Sequence, residues 1–139
     1  MAGIGLAFEA RFPTTKLYVV EPEGFTDHAD SLVAGHPVAR TPGPVSLCDA
    51  LMAPRPGDLT FSLNGPRLAG ALSVTDDQVL AAMAFAFRHL KLVIEPGGAV
   101  GLAALLAGQM PLVGRTALVI ASGGNVDPET FEKALKFSI

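Results

Sequence analysis

The chain has 139 residues, of which 50% are apolar and 17% charged, and its formal net charge is -3. This length predicts about one domain, and the large apolar share argues against a disordered chain. The acidic balance and the scattered basic residues argue against a nucleic-acid binder. No apolar run reaches the roughly 18 residues that a membrane span needs, and residues 1–12 lack the pattern of an export signal. Because the single cysteine allows no intrachain disulfide, we expect a cytoplasmic protein.

The first part of the chain predicts a helix, a strand and a second helix. Residues 2–12 are mostly apolar and are followed by Pro13, which predicts a helix that ends there. Residues 16–20, KLYVV, predict a strand, and a turn follows them. Residues 25–34 predict a short helix.

The middle of the chain contains several segments rich in proline. Residues 36–44 and 53–58 are predicted loops, because proline and glycine interrupt regular structure. Residues 45–52 are ambiguous, and residues 59–63 fit either a strand or a short helix.

A short strand at residues 72–74 is predicted to lead into a well-capped helix. Thr75 has the position of an N-cap, with Gln78 as its capping-box partner three residues later. Basic side chains from Arg88 to Lys91 are predicted to end this helix, where they match the helix dipole.

The last part of the chain predicts a buried helix, a buried strand and a final helix. Residues 99–108 are apolar on all sides, which predicts a buried helix. The short apolar run at residues 117–121 predicts a buried strand, and residues 128–136 predict the final helix. Alternating strands and helices indicate an α/β fold with a partial parallel sheet flanked by helices. So few strands indicate part of a larger domain, since parallel sheets are normally covered on both faces.

A polar loop, Ser122-Gly123-Gly124-Asn125, follows the last predicted strand. Open α/β sheets hold their ligands at the carboxyl ends of strands. The two glycines allow close approach of the backbone, and serine and asparagine supply hydrogen bonds. Local sequence alone is equally compatible with a ligand loop and with an ordinary turn before a capped helix.

Two acidic side chains flank the first predicted turn. Glu21 and Asp27, with an intervening backbone carbonyl, are hard oxygen ligands of the kind that Mg²⁺ and Ca²⁺ prefer. The local sequence alone favours the alternative, a solvated turn with a capping aspartate. The three histidines, His28, His36 and His89, show no metal-binding spacing.

Two further carboxylates lie near loops. Glu95 stands between an apolar pair and Pro96, where it would either cap the next helix or serve a ligand, and local sequence favours capping. Asp49 is also expected to be a cap. Its neighbour Cys48 has no histidine nearby in sequence, so a packed, unreactive thiol is expected.

Five segments, YVVEPEG, SLCDAL, VTDDQVLAAM, LKLVIEPGGAVGLAALLAG and VIASGGNVD, resemble one enzyme family in order and spacing. They resemble the carboxyl-terminal part of the catalytic domain of serine/threonine dehydratases, which include threonine dehydratase and serine racemase. These are fold-type II pyridoxal-phosphate enzymes related to the tryptophan synthase β subunit. The resemblance implies that the chain is part of the large domain of that fold.

The resemblance also implies roles for individual residues. Ser122 matches the serine that hydrogen-bonds the pyridine nitrogen of the cofactor, and residues 123–125 match the loop beside it. Glu95 matches a glutamate close to the cofactor ring, and the Asp49 segment resembles a stretch that lines the cofactor cleft.

The resemblance likewise favours a cation site over a simple turn. Glu21, the backbone carbonyl of Phe25 and Asp27 match the divalent-cation site of serine racemase and its relatives. The ion would be Mg²⁺ or Ca²⁺.

Three parts of the family pattern have no match in these 139 residues. They are the S-[FY]-K-x-R-G-A segment with the Schiff-base lysine, the glycine-rich phosphate loop and the small substrate domain. We therefore expect residues 1–139 to be the carboxyl-terminal part of a dehydratase catalytic domain, without a catalytic residue of its own.

The resemblance implies that the complete enzyme converts L-threonine or L-serine to a 2-oxo acid and ammonia, and that this chain alone is inactive. A homo-oligomer or a complementing chain is the expected partner. The alternatives are a non-catalytic remnant, one half of a split enzyme, and a cation-binding module that uses Glu21 and Asp27.

Overall fold

The computed structural model describes residues 1–40 and 45–137, and within these ranges the chain forms six α-helices and two strands. In chain order they are α1 (Ala2–Arg11), β1 (Leu17–Pro22), α2 (Asp27–Ala34), α3 (Asp58–Asn64), β2 (Leu68–Val74), α4 (Asp76–Phe85), α5 (Pro96–Leu106) and α6 (Pro128–Leu135). A 3-10 turn at Asp49–Leu51 lies between α2 and α3, and a π-helical turn at Ala86–Leu90 extends α4.

Most predicted elements are present at nearly their predicted bounds. Residues 59–63 belong to helix α3, which decides between the two alternatives for that segment. The ambiguous residues 45–52 contain only the 3-10 turn. Within the predicted loop at 36–44, residues 41–44 lie outside the described part of the chain. None of the helices in that part is both long and apolar enough to cross a membrane.

The sheet consists of β1 and β2, which pair in parallel with Leu17 opposite Leu68 and Pro22 opposite Val74. Because parallel strands need a crossover connection, the helices α2 and α3 lie between them in the chain. Both strands therefore end at the same edge, and the amide of Glu23 donates to the carbonyl of Val74 there (2.8 Å). The predicted α/β class, with a partial parallel sheet and flanking helices, is confirmed.

The core lies around α4, which packs against α5 and α6. Small side chains let these helices approach closely, and the fully buried members of the core include Val79, Ala82, Met83, Ala99 and Ala103. The predicted burial of the apolar helix α5 is confirmed, since most residues of its first two turns are buried.

The predicted capping box begins α4. The amide of Gln78 donates to Thr75 Oγ1 (3.2 Å), and the amide of Thr75 donates to Gln78 Oε1 (3.0 Å). Such a cap contributes about 1 kcal/mol and fixes where the helix starts.

The carboxyl end of α4 differs from the simple prediction of a basic last turn. The helix widens into the π-helical turn, and the backbone leaves it at Lys91 in a left-handed conformation (φ 61°). The Arg88 guanidinium donates to the carbonyls of Leu135 (2.5 Å) and Phe137 (2.7 Å). Arg88 therefore donates to carbonyls at the carboxyl end of α6, and its charge also matches the dipole of its own helix.

The predicted buried strand at Ala117–Ala121 is wrong. The segment forms no strand, and the side chains of Leu118 (72%) and Ile120 (53%) are exposed. A parallel strand needs a hydrogen-bonded neighbour, and the β1–β2 sheet does not extend to this segment. Only Val119 packs inward, where its Cγ1 lies 3.0 Å from the position of a Cβ on Gly101.

Candidate active site

The Ser122–Asn125 loop lies against the start of helix α5. Glu95 occupies the N-cap position of that helix, and Pro96 is its first residue. The amide of Glu95 donates to the carbonyl of Gly123 (3.2 Å), which joins the loop to the residue that begins the helix. The predicted loop and the predicted Glu95 position are thus brought together, although they are far apart in sequence.

Glycine is required on both sides of this contact. A Cβ on Gly98, in the first turn of α5, would overlap the carbonyl group of Ser122. Gly123 has a left-handed backbone (φ 81°), and a Cβ there would lie 2.5 Å from Cδ of Glu95. Loop and helix therefore meet backbone to backbone, with no room for side chains between them.

The carboxylate of Glu95 does not cap α5, which contradicts the interpretation that local sequence favoured. Its Oε2 accepts a hydrogen bond from the backbone amide of Asn125 (3.0 Å), and within the described residues the side chain makes no capping bond to the helix. The helix amides of Gly98 and Ala99 donate instead to the backbone carbonyl of Glu95 (3.0 and 3.1 Å).

The Asp49 segment lies beside the same helix end. The side chains of Ala50 and Leu51 are 3.5 and 3.6 Å from the position of a Cβ on Gly97. Asp49 is exposed and is the first residue of the 3-10 turn, and its Oδ1 accepts from the amide of Ala50 (2.7 Å). The predicted cap is wrong, because Cys48 occupies the N-cap position and makes no side-chain capping bond. Loops from three parts of the chain thus meet at the amino-terminal end of α5.

Cys48 is fully buried, as the prediction of a packed thiol requires. Burial raises the pKa of its thiol to about 11, so the reactive thiolate is scarce at neutral pH. The adjacent Ser46 Oγ donates to Oδ1 of Asp76 (2.6 Å), and the amide of Leu47 donates to Oδ2 (3.1 Å). Sequence reasoning missed this anchor, because its members lie about thirty positions apart and have no local spacing signal.

The other predicted cluster lies at the carboxyl end of β1. Glu21 (6% exposed) and Asp27 (3% exposed) are both buried and come within 4.8 Å of each other, counted between their nearest candidate ligand atoms. His28 joins them, with Nδ1 3.4 Å from Glu21 Oε1 and 3.5 Å from Asp27 Oδ2. Histidine spacing did not indicate this cluster, and the adjacency of His28 to Asp27 was the available signal. Phe25 is buried in the turn between the two acidic residues.

Glu21 also binds the first turn of α2. Its Oε1 accepts from the amide of His28 (2.7 Å), and its Oε2 accepts from the amide of Ala29 (3.1 Å). These amides have no partner inside their helix, so a carboxylate from the neighbouring strand serves as the cap.

Electrostatic shifts follow from the crowding of these groups. Burial, and then the nearby charge of Glu21, raises the pKa of Asp27. The hydrogen bond to Glu21 is the main cause that raises the pKa of His28. Burial beside a second carboxylate thus disfavours the charged form of Asp27, and contact with Glu21 favours the charged form of His28.

Comparison with known proteins places these features in a family. Residues 1–123 match the family described as pyridoxal-phosphate dependent enzymes. The L-threo-3-hydroxyaspartate ammonia-lyase of Pseudomonas sp is 32% identical, covering 98% of this chain and 42% of that protein. The phenylserine dehydratase of Ralstonia pickettii is 35% identical, covering 97% of this chain and 41% of that protein.

The solved structure of the threonine deaminase from T.th. has the same arrangement of elements, with a TM-score of 0.83 and 35% identity. The match covers 91% of our chain and 42% of the threonine deaminase chain. Our chain therefore spans less than half the length of these relatives. The resemblance stated from sequence motifs is thereby confirmed, as is the assignment to the fold of these enzymes. The chain belongs to the family of pyridoxal-phosphate dependent enzymes.

Proposed function

We propose that residues 1–139 correspond to the carboxyl-terminal part of the catalytic domain of a threonine/serine-type dehydratase. In the complete enzyme the reaction would convert L-threonine, L-serine or a related 3-hydroxy amino acid to a 2-oxo acid and ammonia. The observation that carries this proposal is the Ser122–Asn125 loop held directly on the start of α5. The names of three relatives point to hydroxy amino acids that share a hydroxyl group on the β-carbon.

The residues present fit one side of the cofactor. Ser122 and the two glycines that follow it are exposed, so a flat ring can approach the outer side of the loop. When bound, pyridoxal phosphate supplies the electron-withdrawing ring that elimination of a β-hydroxyl needs. In the proposal, the Ser122 hydroxyl hydrogen-bonds the ring nitrogen, while residues 123–125, Glu95 and Asp49 line the same wall. A neutral hydroxyl does not hold that nitrogen protonated as a carboxylate would.

The chain alone is proposed to be inactive, because none of its four lysines has the sequence context of the Schiff-base lysine. Lys91 Nζ donates to the carbonyl of Arg88 (2.8 Å), and Lys133 and Lys136 pair with glutamates on their own helix. Lys16 is exposed next to β1, and its sequence context does not match the family lysine segment.

This proposal predicts no sustained turnover by the purified chain. With pyridoxal phosphate and L-threonine, 2-oxobutanoate should not accumulate above the level seen with cofactor alone. The Ser122→Ala variant is the control, since any background from surface lysines should be the same in both proteins. Continuous product formation that the variant abolishes would contradict the proposal of inactivity.

We also propose that the exposed segment at residues 117–121 is covered by a second copy or by a complementing chain. Leu118 and Ile120 point to solvent while Val119 packs on α5, which is the alternation of a strand that lacks a neighbour. An extended segment with exposed apolar side chains and an unpaired backbone pairs readily with another strand.

For pairing with a second copy, sedimentation should give a mass above the 14.3 kDa of one chain, and Leu118→Glu should restore the monomer. Leu59→Glu, at another exposed leucine, is the matched control and should leave the mass unchanged. A monomeric parent protein would contradict self-pairing and leave a complementing chain as the partner.

A second candidate function, binding of Mg²⁺ or Ca²⁺, is favoured by the buried pair Glu21 and Asp27. Two desolvated carboxylates repel each other, and a divalent cation would relieve that repulsion while using the free lone pairs of their oxygens. The backbone carbonyl of Phe25 is the proposed third ligand.

Binding predicts that either ion raises the melting temperature, since ligand at 100 times its Kd stabilises the folded state by about 2.7 kcal/mol. Asp27→Asn should abolish this increase, whereas Asp30→Asn, at an exposed acid in the same helix, should retain it. An equal response of both variants to the ion would contradict a site at Asp27.

A further inference from the structure

Glu95 makes two hydrogen bonds to the Ser122–Asn125 loop, one to Gly123 and one to Asn125. Its backbone amide donates to the carbonyl of Gly123 (3.2 Å), and its Oε2 accepts from the amide of Asn125 (3.0 Å). The carboxylate also lies directly over the α-carbon of Gly123, whose Cβ would be 2.7 Å from Oε2. One residue therefore bonds the loop on either side of Gly124.

These contacts give Glu95 a task that is distinct from capping α5 and from lining the cofactor wall. The amides of Gly98 and Ala99 donate to the backbone carbonyl of Glu95, and its carboxylate makes no capping bond to the helix. One carboxylate oxygen accepts from the Asn125 amide, and the Ser122 carbonyl lies so close to Gly98 that a Cβ there would overlap it. Moving the Glu95 side chain would release the loop residues that immediately follow Ser122.

We propose that Glu95 is a positioning residue, whose carboxylate holds the Ser122–Asn125 loop on α5 and thereby sets where the Ser122 hydroxyl points. This inference rests on the proposed function for the role of Ser122, but the hold on the loop is a property of this chain. A charged acceptor suits the task, because hydrogen bonds to carboxylates are stronger than those to neutral oxygens.

The test compares Glu95→Ala and Glu95→Gln with the parent chain. Glu129→Ala removes an exposed charge elsewhere and is the control. Hydrogen exchange of the Asn125 amide, followed by NMR, measures the hold on the loop. Pyridoxine 5′-phosphate is the ring probe, since it lacks the aldehyde that reacts with lysines, and its affinity is read from the amide shifts of residues 122–124.

Glu95→Ala should speed exchange at Asn125 roughly tenfold, and Glu95→Gln, which keeps an acceptor oxygen, should recover most of the protection. Glu95→Ala should also weaken probe binding as much as Ser122→Ala does, and the double variant should lose no more than either alone. Unchanged exchange at Asn125 in Glu95→Ala would overturn the inference. So would additive losses of affinity, which would mean that Glu95 contacts the ring independently of Ser122.

Failure of the proposed function gives a different result. If the parent chain and every variant ignore the probe, the cofactor role of this wall is contradicted. The exchange rates at Asn125 still decide whether Glu95 holds the loop.

Discussion

Replacing Gly98 by alanine is expected to destabilise the protein by about 1–2 kcal/mol and to release the Ser122–Asn125 loop. The new methyl group would overlap the Ser122 carbonyl, and overpacking of this kind typically costs about 1–3 kcal/mol. Alanine gains up to about 1 kcal/mol over glycine in a helix, which offsets only part of that cost. Urea unfolding measures the free energy, and protease cleavage within residues 122–125 reports the released loop.

Gly97→Ala is the matched control, because Gly97 precedes Gly98 in the same helical turn. Its new methyl would meet Ala50 and Leu51 at 3.5–3.6 Å, which is ordinary contact distance. This variant should be neutral or more stable by up to about 1 kcal/mol. If the two variants had the same stability and the same protease sensitivity, the close packing of loop on helix would be refuted.

The features that sequence predicted well are those set by neighbouring residues. The capping box at Thr75 and Gln78 needs only a spacing of three, and Pro13 predicted the end of α1. The start of α5 was predicted three residues too late, because Pro96 begins the helix and does not precede it as a break. The apolar character of α5 was also sufficient to predict its burial, because an all-apolar helix has no face that favours water.

The errors concern residues whose state depends on distant partners. The run at residues 117–121 has the composition of a buried strand, yet a strand forms only where another strand offers its hydrogen bonds. Glu95 has the position of a cap, but its carboxylate bonds an amide thirty residues away. Local propensity cannot distinguish such outcomes, since the deciding group lies elsewhere in the chain.

The candidate sites show the same division. The sequence motifs indicated Ser122, Glu95 and the Glu21–Asp27 pair as separate candidate residues. Which of these residues lie close together is seen only in the folded structure. Helix α5 connects the loop with the Asp49 segment because Gly97 and Gly98 each face one of them. The Glu21 cluster, in contrast, is organised by the end of β1 and the start of α2, and it uses a different part of the fold.

Replacing Glu21 by alanine is expected to cost about 2–4 kcal/mol of unfolding free energy. The change leaves the amides of His28 and Ala29 without their acceptor, and each unsatisfied, partly buried group costs about 1–3 kcal/mol. Loss of a negative charge at the start of α2 adds to the cost, since that charge interacts favourably with the positive end of the helix dipole. Relief of the repulsion with buried Asp27 recovers a part of it, because the charge of Glu21 is one cause that raises the pKa of Asp27.

Chemical denaturation of three variants separates these contributions. Glu21→Gln keeps one acceptor oxygen and removes the charge, so its loss should fall between those of the parent and of Glu21→Ala. Glu23→Ala, at an exposed position two residues later, should change the free energy by no more than about 0.5 kcal/mol. Should Glu21→Ala unfold at the same denaturant concentration as Glu23→Ala, the carboxylate would not be the cap of α2. The contacts of His28 with both carboxylates, and the proposed cation, would then be the remaining explanations for burying Glu21 beside Asp27.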